Sequence, residues 1–132
     1  MSVLFQWPVR VYYEDTDVGG VVYYANYLRF MERARTEYLR ARGFEQDRLM
    51  AEDGIMFAVV SAELTFRRAA RFNDLLHVSC AIAEHTRTTV RFTQEVRRGG
   101  ELVCEGRIRA ACLDVQSLRP RPIPDRVLEA AA

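Results

Sequence analysis

The stretch that decides the fold of this chain reads VYYEDTDVGGVVYYANY and occupies residues 11–27. Residues 4–13 are rich in Val, Phe, Trp and Tyr and predict a strand, at a sheet edge or bulged around Pro8. Residues 14–25 contain a Gly-Gly pair and predict a loop. Asn26 is a favourable N-cap, so a helix is expected to follow it.

Apolar residues recur at spacings of three and four after this loop and predict a long helix from Tyr27 that ends at Gly43. The apolar stripe consists of Phe30, Met31, Ala34, Tyr38 and Ala41. A short second helical turn is expected over residues 46–52, before Gly54.

The remainder of the chain alternates with period two and predicts four strands in an antiparallel meander, with a hairpin turn at residues 98–101. The inward face of the first of these strands should carry Ala58, Val60, Ala62, Leu64 and Phe66. The inward faces of the following three strands should carry Leu76, Val78, Cys80, Ile82, Val90, Phe92, Val96, Cys104, Gly106, Ile108, Ala110 and Cys112. The single long helix must cover this face, which gives an α+β fold. The proline-rich residues 119–132 are expected to form an extended tail of one domain that spans residues 1–132.

Composition excludes several classes of protein. The net charge of +1 gives no overall field that favours nucleic acid or acidic membranes. No stretch approaches the ~18–20 apolar residues of a membrane span, and the N-terminus lacks a signal-peptide pattern, so a cytoplasmic protein is expected. Three cysteines and two histidines are too few and too scattered for a zinc site. Cys80, Cys104 and Cys112 are expected to be small core residues, and His77 and His85 surface residues.

The loop between strand and helix is the candidate site for chemistry. A carboxylate beside a helix N-terminus is an acid, base or nucleophile next to unpaired N–H groups that can bind an oxyanion. From spacing alone, an acidic turn that leads into a capped helix is the more common interpretation.

The sequence of this loop closely resembles the active-site segment of hotdog-fold acyl-CoA thioesterases. The resemblance is nearest to the bacterial group associated with the Tol-Pal system, relatives of 4-hydroxybenzoyl-CoA thioesterase. It extends over most of the chain and also involves residues 4–10, 32–37, 70–74 and 92–94. It implies a curved antiparallel sheet wrapped around one long helix.

The resemblance also implies the site residues. The family's catalytic aspartate, a nucleophile or a general base for water, falls on Asp17, and the N–H that polarises the thioester carbonyl falls at Tyr24. Gly20, Val21 and Tyr27 fall on substrate-binding positions. Many members of the Tol-Pal group have His where this chain has Tyr24, whereas the hydroxybenzoyl branch has Tyr there.

The turn that holds CoA phosphates in the family falls on Arg87, with Thr88 and Thr89 as weaker candidates. Arginine forks suit phosphates, but a solvated, charged turn is an equally good interpretation. The family further implies a homodimer or homotetramer with active sites between protomers, and an acyl carrier protein is a further candidate partner.

The function expected from these observations is hydrolysis of an acyl-CoA to a carboxylic acid and free CoA. No metal or other cofactor is expected, because coenzyme A is part of the substrate. The main alternative is a non-catalytic protein of the same fold that binds acyl-CoA or acyl carrier protein. A hotdog hydratase or dehydratase has little support, since no histidine lies in the loop before the helix.

Overall fold

The structure is a computed structural model that describes residues 4–131. Its elements are β1 (Gln6–Arg10), a 3₁₀ turn (Tyr13–Asp15), α1 (Asn26–Ala41), α2 (Gln46–Arg48, continued by a π-helical turn Leu49–Asp53), β2 (Ile55–Phe66), β3 (Leu75–Ser79), β4 (Ala81–His85), β5 (Thr89–Arg98), β6 (Glu101–Asp114) and α3 (Asp125–Ala131). Among residues 4–131, none of the helices has the length and apolar character needed to cross a membrane.

One curved antiparallel sheet contains all six strands, in the order β1-β3-β5-β6-β2, with β4 also paired to β5. The prediction of four strands in a meander after the helix is wrong, because an interruption at Cys80 divides the second of them into β3 and β4, and β2 pairs with β6 rather than with β3. The first strand is shorter than expected but lies at a sheet edge, as Pro8 predicts. At the other edge, the twelve-residue β2 pairs only with β6 within the described chain. The molecule therefore has a long, unpaired strand edge along β2.

The long helix α1 packs on the inner face of the sheet, which confirms the wrapped α+β fold. Phe30, Met31 and Ala34 are completely buried in this contact. Gly106 on β6 gives Met31 the room to approach, because a Cβ added there would lie 2.8 Å from the Met31 sulfur. The small inward residues of the last strand thus accommodate a bulky helical side chain.

The C-terminal end of α1 is as predicted, whereas its N-terminal cap is a different residue from the one expected. Gly43 has φ 91° and ends the helix as predicted, with the Phe44 N–H donating to the Leu39 carbonyl at 2.9 Å. The N-cap is Ala25, not Asn26, which is the first helical residue. The Asn26 side chain donates instead to the Asp15 carbonyl at 2.9 Å, because the acidic loop folds back over the helix start.

The inward face of β2 was predicted in the wrong phase over its first half. A bulge separates Val59, which pairs with Ala110, from Ser61, which pairs with Arg109. The bulge inserts Val60 and reverses the alternation, so the inward residues are Ile55, Phe57 and Val59, and then Ala62, Leu64 and Phe66. Ala58 and Val60 are therefore not on the inward face.

The C-terminal segment is extended only in part. Residues 119–124 run beside the end of β6, where the Arg121 N–H donates to the Cys112 carbonyl at 2.9 Å. The prediction of an extended tail is wrong beyond this point, because Asp125–Ala131 forms α3. Val127 is 4% exposed, and Arg126 pairs with Asp53 at 2.6 Å, so apolar burial and an ion pair fix this helix to the body.

Candidate active site

A tight loop holds the Asp17 carboxylate on the surface just before α1. Its Oδ1 accepts a hydrogen bond from the Gly19 N–H at 2.8 Å. The Asp17 carbonyl accepts a second from the Gly20 N–H at 2.9 Å, and its own N–H donates to the Val21 carbonyl at 2.9 Å. Gly20 has φ 78°, a conformation that favours glycine, so this residue allows the loop to close on itself.

The helix start beside this loop offers unpaired N–H groups. The Tyr24 N–H has no hydrogen-bond partner within residues 4–131, and it lies two residues before the first residue of the sixteen-residue α1. The positive end of the helix dipole adds to its capacity to bind a negatively charged oxygen. The Asp15 carbonyl ties loop and helix together, because it accepts hydrogen bonds from the Asn26 side chain and from the Tyr23 N–H, both at 2.9 Å.

The second acid of the loop has a structural contact. Asp15 Oδ2 accepts the Tyr12 N–H at 2.8 Å and so caps the 3₁₀ turn. Asp17 accepts only the local Gly19 bond among the described residues, which leaves one carboxylate oxygen open to a ligand. Asp17 is accordingly the better placed of the two for chemistry.

Aromatic rings line the sheet side of the helix start. The Tyr24 and Phe66 ring centroids are 6.2 Å apart, and those of Tyr23 and Tyr24 are 4.8 Å apart. A hydrogen bond with Tyr24, and secondarily its charge, raises the pKa of the Tyr23 phenol. Tyr27, an expected substrate-binding residue, is 3% exposed, and burial raises its pKa. It therefore lies beneath this aromatic surface, where it supports Phe66 at 5.7 Å between ring centroids, and not on the surface itself.

A second loop, residues 70–74, packs against the Asp17 loop, and the sequence interpretation gave it no role. The Val22 N–H donates to the Ala70 carbonyl at 2.8 Å, which fixes the strand-like end of the Asp17 loop. Asp74 stabilises this second loop, since its Oδ2 accepts hydrogen bonds from the Arg71 N–H at 2.8 Å and from the Arg98 guanidinium at 2.6 Å. Burial opposes the charge of Asp74, but these hydrogen bonds outweigh it and lower the pKa of Asp74 below its ordinary value. The signal in the sequence was the segment of residues 70–74 that takes part in the family resemblance.

The turn with the expected phosphate-binding residues lies elsewhere. Arg87 is exposed, and its guanidinium has no ion-pair or hydrogen-bond partner in the part of the chain that the structure describes. Thr88 and Thr89 are half-buried in the β4–β5 turn, and the Thr88 carbonyl accepts the Cys112 N–H at 2.7 Å.

This turn and Asp17 occupy opposite ends of the sheet. Thr89 is level with Ala111 and Ala58, whereas the Asp17 loop is level with Phe66. Eight residues of β2 separate Ala58 from Phe66, or about 26 Å at 3.3 Å per residue. A single chain therefore brings Asp17, Gly20, Val21 and Tyr24 together but leaves Arg87, Thr88 and Thr89 at a distance.

Histidines and cysteines lie outside the site. His85 is exposed and contacts the Thr86 carbonyl through Nδ1 at 3.2 Å. Burial raises the pKa of Cys80 and of Cys104 to about 12 and also raises that of Cys112, and all three thiols are free and buried. These cysteines are core residues, as predicted, and are poor nucleophiles.

A curved antiparallel sheet wrapped around one long helix is the hotdog fold. Residues 11–131 match the thioesterase-like superfamily. The chain is 42% identical over 123 residues to the acyl-CoA thioesterase YbgC of Haemophilus influenzae, with 93% of this chain and 90% of that protein covered. It is also 42% identical over 128 residues to the acyl-CoA thioester hydrolase YbgC of Escherichia coli O6:H1, with 96% and 95% covered.

Solved structures agree with this likeness. The probable thioesterase from Bartonella henselae superposes with a TM-score of 0.88 at 31% identity, over 92% of this chain and 100% of that one. The chain thus belongs to the thioesterase-like superfamily, and it is an enzyme of the thioester hydrolase class.

Proposed function

We propose that this protein hydrolyses acyl-CoA thioesters to a carboxylic acid and free CoA, with Asp17 as the catalytic carboxylate. The observation that carries this proposal is the open Asp17 carboxylate beside the unpartnered Tyr24 N–H at the start of α1. Support for the substrate comes from relatives that are 42% identical over more than nine-tenths of the chain and are named acyl-CoA thioesterases or thioester hydrolases.

The two groups have complementary tasks in this reaction. The Tyr24 N–H binds the thioester carbonyl oxygen and becomes a stronger partner as negative charge develops on that oxygen in the transition state. Asp17 either attacks the carbonyl carbon, forming an anhydride that water then cleaves, or takes a proton from the water that attacks. In both routes CoA leaves as the thiolate and is then protonated, and no cofactor takes part.

A second copy of the chain would complete the site. The unpaired edge of β2 carries exposed apolar residues, including Val60 at 52% and Phe66 at 49% exposure, and such an edge readily pairs with another strand. If the twelve residues of β2 pair antiparallel with the same strand of a second copy, the partner's Ile55 lies opposite Phe66, about 5 Å away. This arrangement would bring the partner's Arg87 turn to the Asp17 end of the sheet, where its guanidinium could bind CoA phosphates. A homodimer is the smallest such assembly, and a homotetramer of two dimers would retain the same contact.

The cellular setting is also part of the proposal. Three buried, unpaired thiols suit a reducing compartment, which supports the cytoplasm. Association with the Tol-Pal system and contact with acyl carrier protein stay predictions from the family resemblance.

The proposal is tested with a panel of acyl-CoA substrates from acetyl to palmitoyl, with release of the CoA thiol as the measurement. The wild-type chain should hydrolyse at least one of them. Asp17→Asn should lower kcat by about 10²–10⁴-fold, which is the usual contribution of a general base. Asp15→Asn is the matched control, because it changes a neighbouring carboxylate that caps a turn. Stoichiometric binding of acyl-CoA without turnover by the wild-type chain would instead support the non-catalytic alternative.

A further inference from the structure

A cavity of about 240 Å³ lies between the C-terminal half of α1, the short helix α3 and the inner face of the sheet. We call it the α1–α3 pocket. Apolar side chains supply most of its lining, among them Leu39, Phe57, Ile82, Phe92, Val127 and Leu128. The catalytic residues described above do not contribute to it, so it is a separate feature of the protomer.

Three polar residues line this pocket, of which Arg35 and Gln46 are engaged elsewhere and Glu32 is exposed to solvent. The Arg35 guanidinium donates to Gln94 Oε1 at 3.0 Å, and the Gln46 amide donates to Thr36 Oγ1 at 3.2 Å. These two side chains therefore present mainly their aliphatic stems to the cavity. A ligand that fills the interior gains from apolar contact, while a polar or charged group there would find few partners.

The pocket lies too far from the Asp17 of its own protomer to serve it. Phe57, in the pocket, and Phe66, beside the Asp17 loop, are nine residues apart on β2, or about 30 Å at 3.3 Å per residue. In the antiparallel pairing of β2 with a second copy, however, the partner's Phe57 lies opposite Leu64. Phe57, Leu64 and Phe66 all face the inner side of the sheet, so an apolar path leads from one Asp17 loop to the partner's pocket.

We infer that the α1–α3 pocket of one protomer receives the acyl chain whose thioester is bound at the partner's Asp17, and that this chain is aliphatic with ten or more carbons. The inference rests on the proposed function and on the pairing of β2 with a second copy. It adds the substrate class and assigns a binding role to α3, which closes the pocket with Val127 and Leu128.

The volume sets the expected length of the chain. An apolar cavity of about 150 Å³ binds benzene, which corresponds to about 25 Å³ per carbon. At that ratio the α1–α3 pocket, about 240 Å³ in volume, holds about nine or ten carbons. The carbons nearest the thioester cross the boundary between the two β2 strands, so only chains of about ten carbons or more bring their ends well into the pocket.

The first experiment measures kcat/KM for straight-chain acyl-CoA substrates from two to eighteen carbons. Each methylene that enters the pocket should raise kcat/KM by about threefold to fourfold, until the pocket is full. Ala110→Phe places a ring in the cavity and should lower kcat/KM for chains of ten or more carbons by at least tenfold, with two- to four-carbon substrates changed less than twofold. Leu128→Trp fills the same space from α3 and should act in the same direction if Ala110→Phe impairs folding. Ala83→Phe, at an exposed position of β4, is the matched control and should leave the profile unchanged.

The second experiment tests which protomer supplies the pocket. A mixed dimer is prepared with Asp17→Asn in one differently tagged protomer and Ala110→Phe in the other. The intact Asp17 then faces an intact partner pocket, so long-chain hydrolysis should return to about half the wild-type rate per dimer. Long-chain activity that stays at the level of the Ala110→Phe homodimer would overturn the assignment to the partner's pocket.

The two proposals fail in different ways. A wild-type chain that hydrolyses no acyl-CoA, or an Asp17→Asn variant that retains full activity, contradicts the proposed function itself. A wild-type chain that hydrolyses acyl-CoA with a length profile that neither Ala110→Phe nor Leu128→Trp changes contradicts the pocket assignment alone. A wild-type preference for benzoyl-CoA or two- to four-carbon substrates over long chains also overturns the assignment.

Discussion

Replacement of Gly106 by alanine should destabilise the protein, although alanine normally suits a strand better than glycine. The added Cβ would lie 2.8 Å from the Met31 sulfur and 2.9 Å from its terminal methyl carbon, well inside ordinary contact distance. Met31 is completely buried between α1 and the sheet, so its side chain has little space to move away. Overpacking of this kind costs about 1–3 kcal/mol of unfolding free energy.

Urea unfolding at a fixed protein concentration measures this cost, as a lower midpoint at unchanged slope. Met31→Val removes the atoms that the new methyl group meets, so the double variant should recover at least 1 kcal/mol relative to the sum of the single changes. Gly100→Ala is the matched control, because its Cβ would meet nothing within 4 Å. A Gly106→Ala variant as stable as the wild type would refute the packing of α1 on β6 described here.

Four further predictions address the site, its support and the buried cysteines. Asp74→Asn should lower the unfolding free energy at pH 7 by about 1 kcal/mol. The pKa of Asp74 is lowered in the folded state, so the stability that its carboxylate contributes is present above about pH 4 and is lost as the pH falls through that pKa. The unfolding free energy of the variant should therefore decrease less steeply on acidification than that of the wild type. Asn26→Ala removes the hydrogen bond to the Asp15 carbonyl and should reduce kcat while leaving the circular dichroism spectrum unchanged. Tyr24→Phe should keep kcat within about threefold, because the proposed contribution is a backbone N–H; a hundredfold loss would assign the role to the phenol instead. Native protein should react with a thiol reagent at pH 7.5 far more slowly than urea-unfolded protein, since burial raises the pKa of Cys80 and Cys104 to about 12; three fast equivalents from native protein would contradict that burial.

Local patterns predicted the parts of the fold that depend on one face of one element. The spacing of Phe30, Met31, Ala34 and Tyr38 predicted α1, and all four residues are buried. Ala41, the last member of the predicted stripe, is exposed because it lies at the end of the helix, beyond the sheet. Gly43 and Gly54 end their helical segments with positive φ, where glycine alone avoids strain.

Features that depend on distant contacts were not predictable in the same way. The bulge at Val60 leaves no mark on the alternating pattern, because Ala58, Val59 and Val60 are all apolar. The helix α3 follows three prolines and gains its burial from Val127 against the sheet, a contact that no local pattern indicates. Asn26 is of a residue type that favours the N-cap position, but its side chain donates instead to the carbonyl of Asp15, eleven residues earlier.

The site shows the same division. The resemblance of the loop to a known active-site segment pointed to Asp17, which lies close in the chain to the start of α1. The support from Ala70 and Asp74 depends on a loop about fifty residues further along, which only the folded sheet brings beneath Val22. The separation of Arg87 from Asp17 likewise became visible only from the register of β2, β6 and β5.

The most direct test of the account is a single-turnover measurement with enzyme in excess over an acyl-CoA that the wild type hydrolyses. The account predicts that Asp17→Asn lowers the rate constant of thioester cleavage by about 10²–10⁴-fold, while the dissociation constant of the substrate changes by less than about threefold. A single-turnover rate within tenfold of the wild type would contradict the role of Asp17 as the catalytic carboxylate.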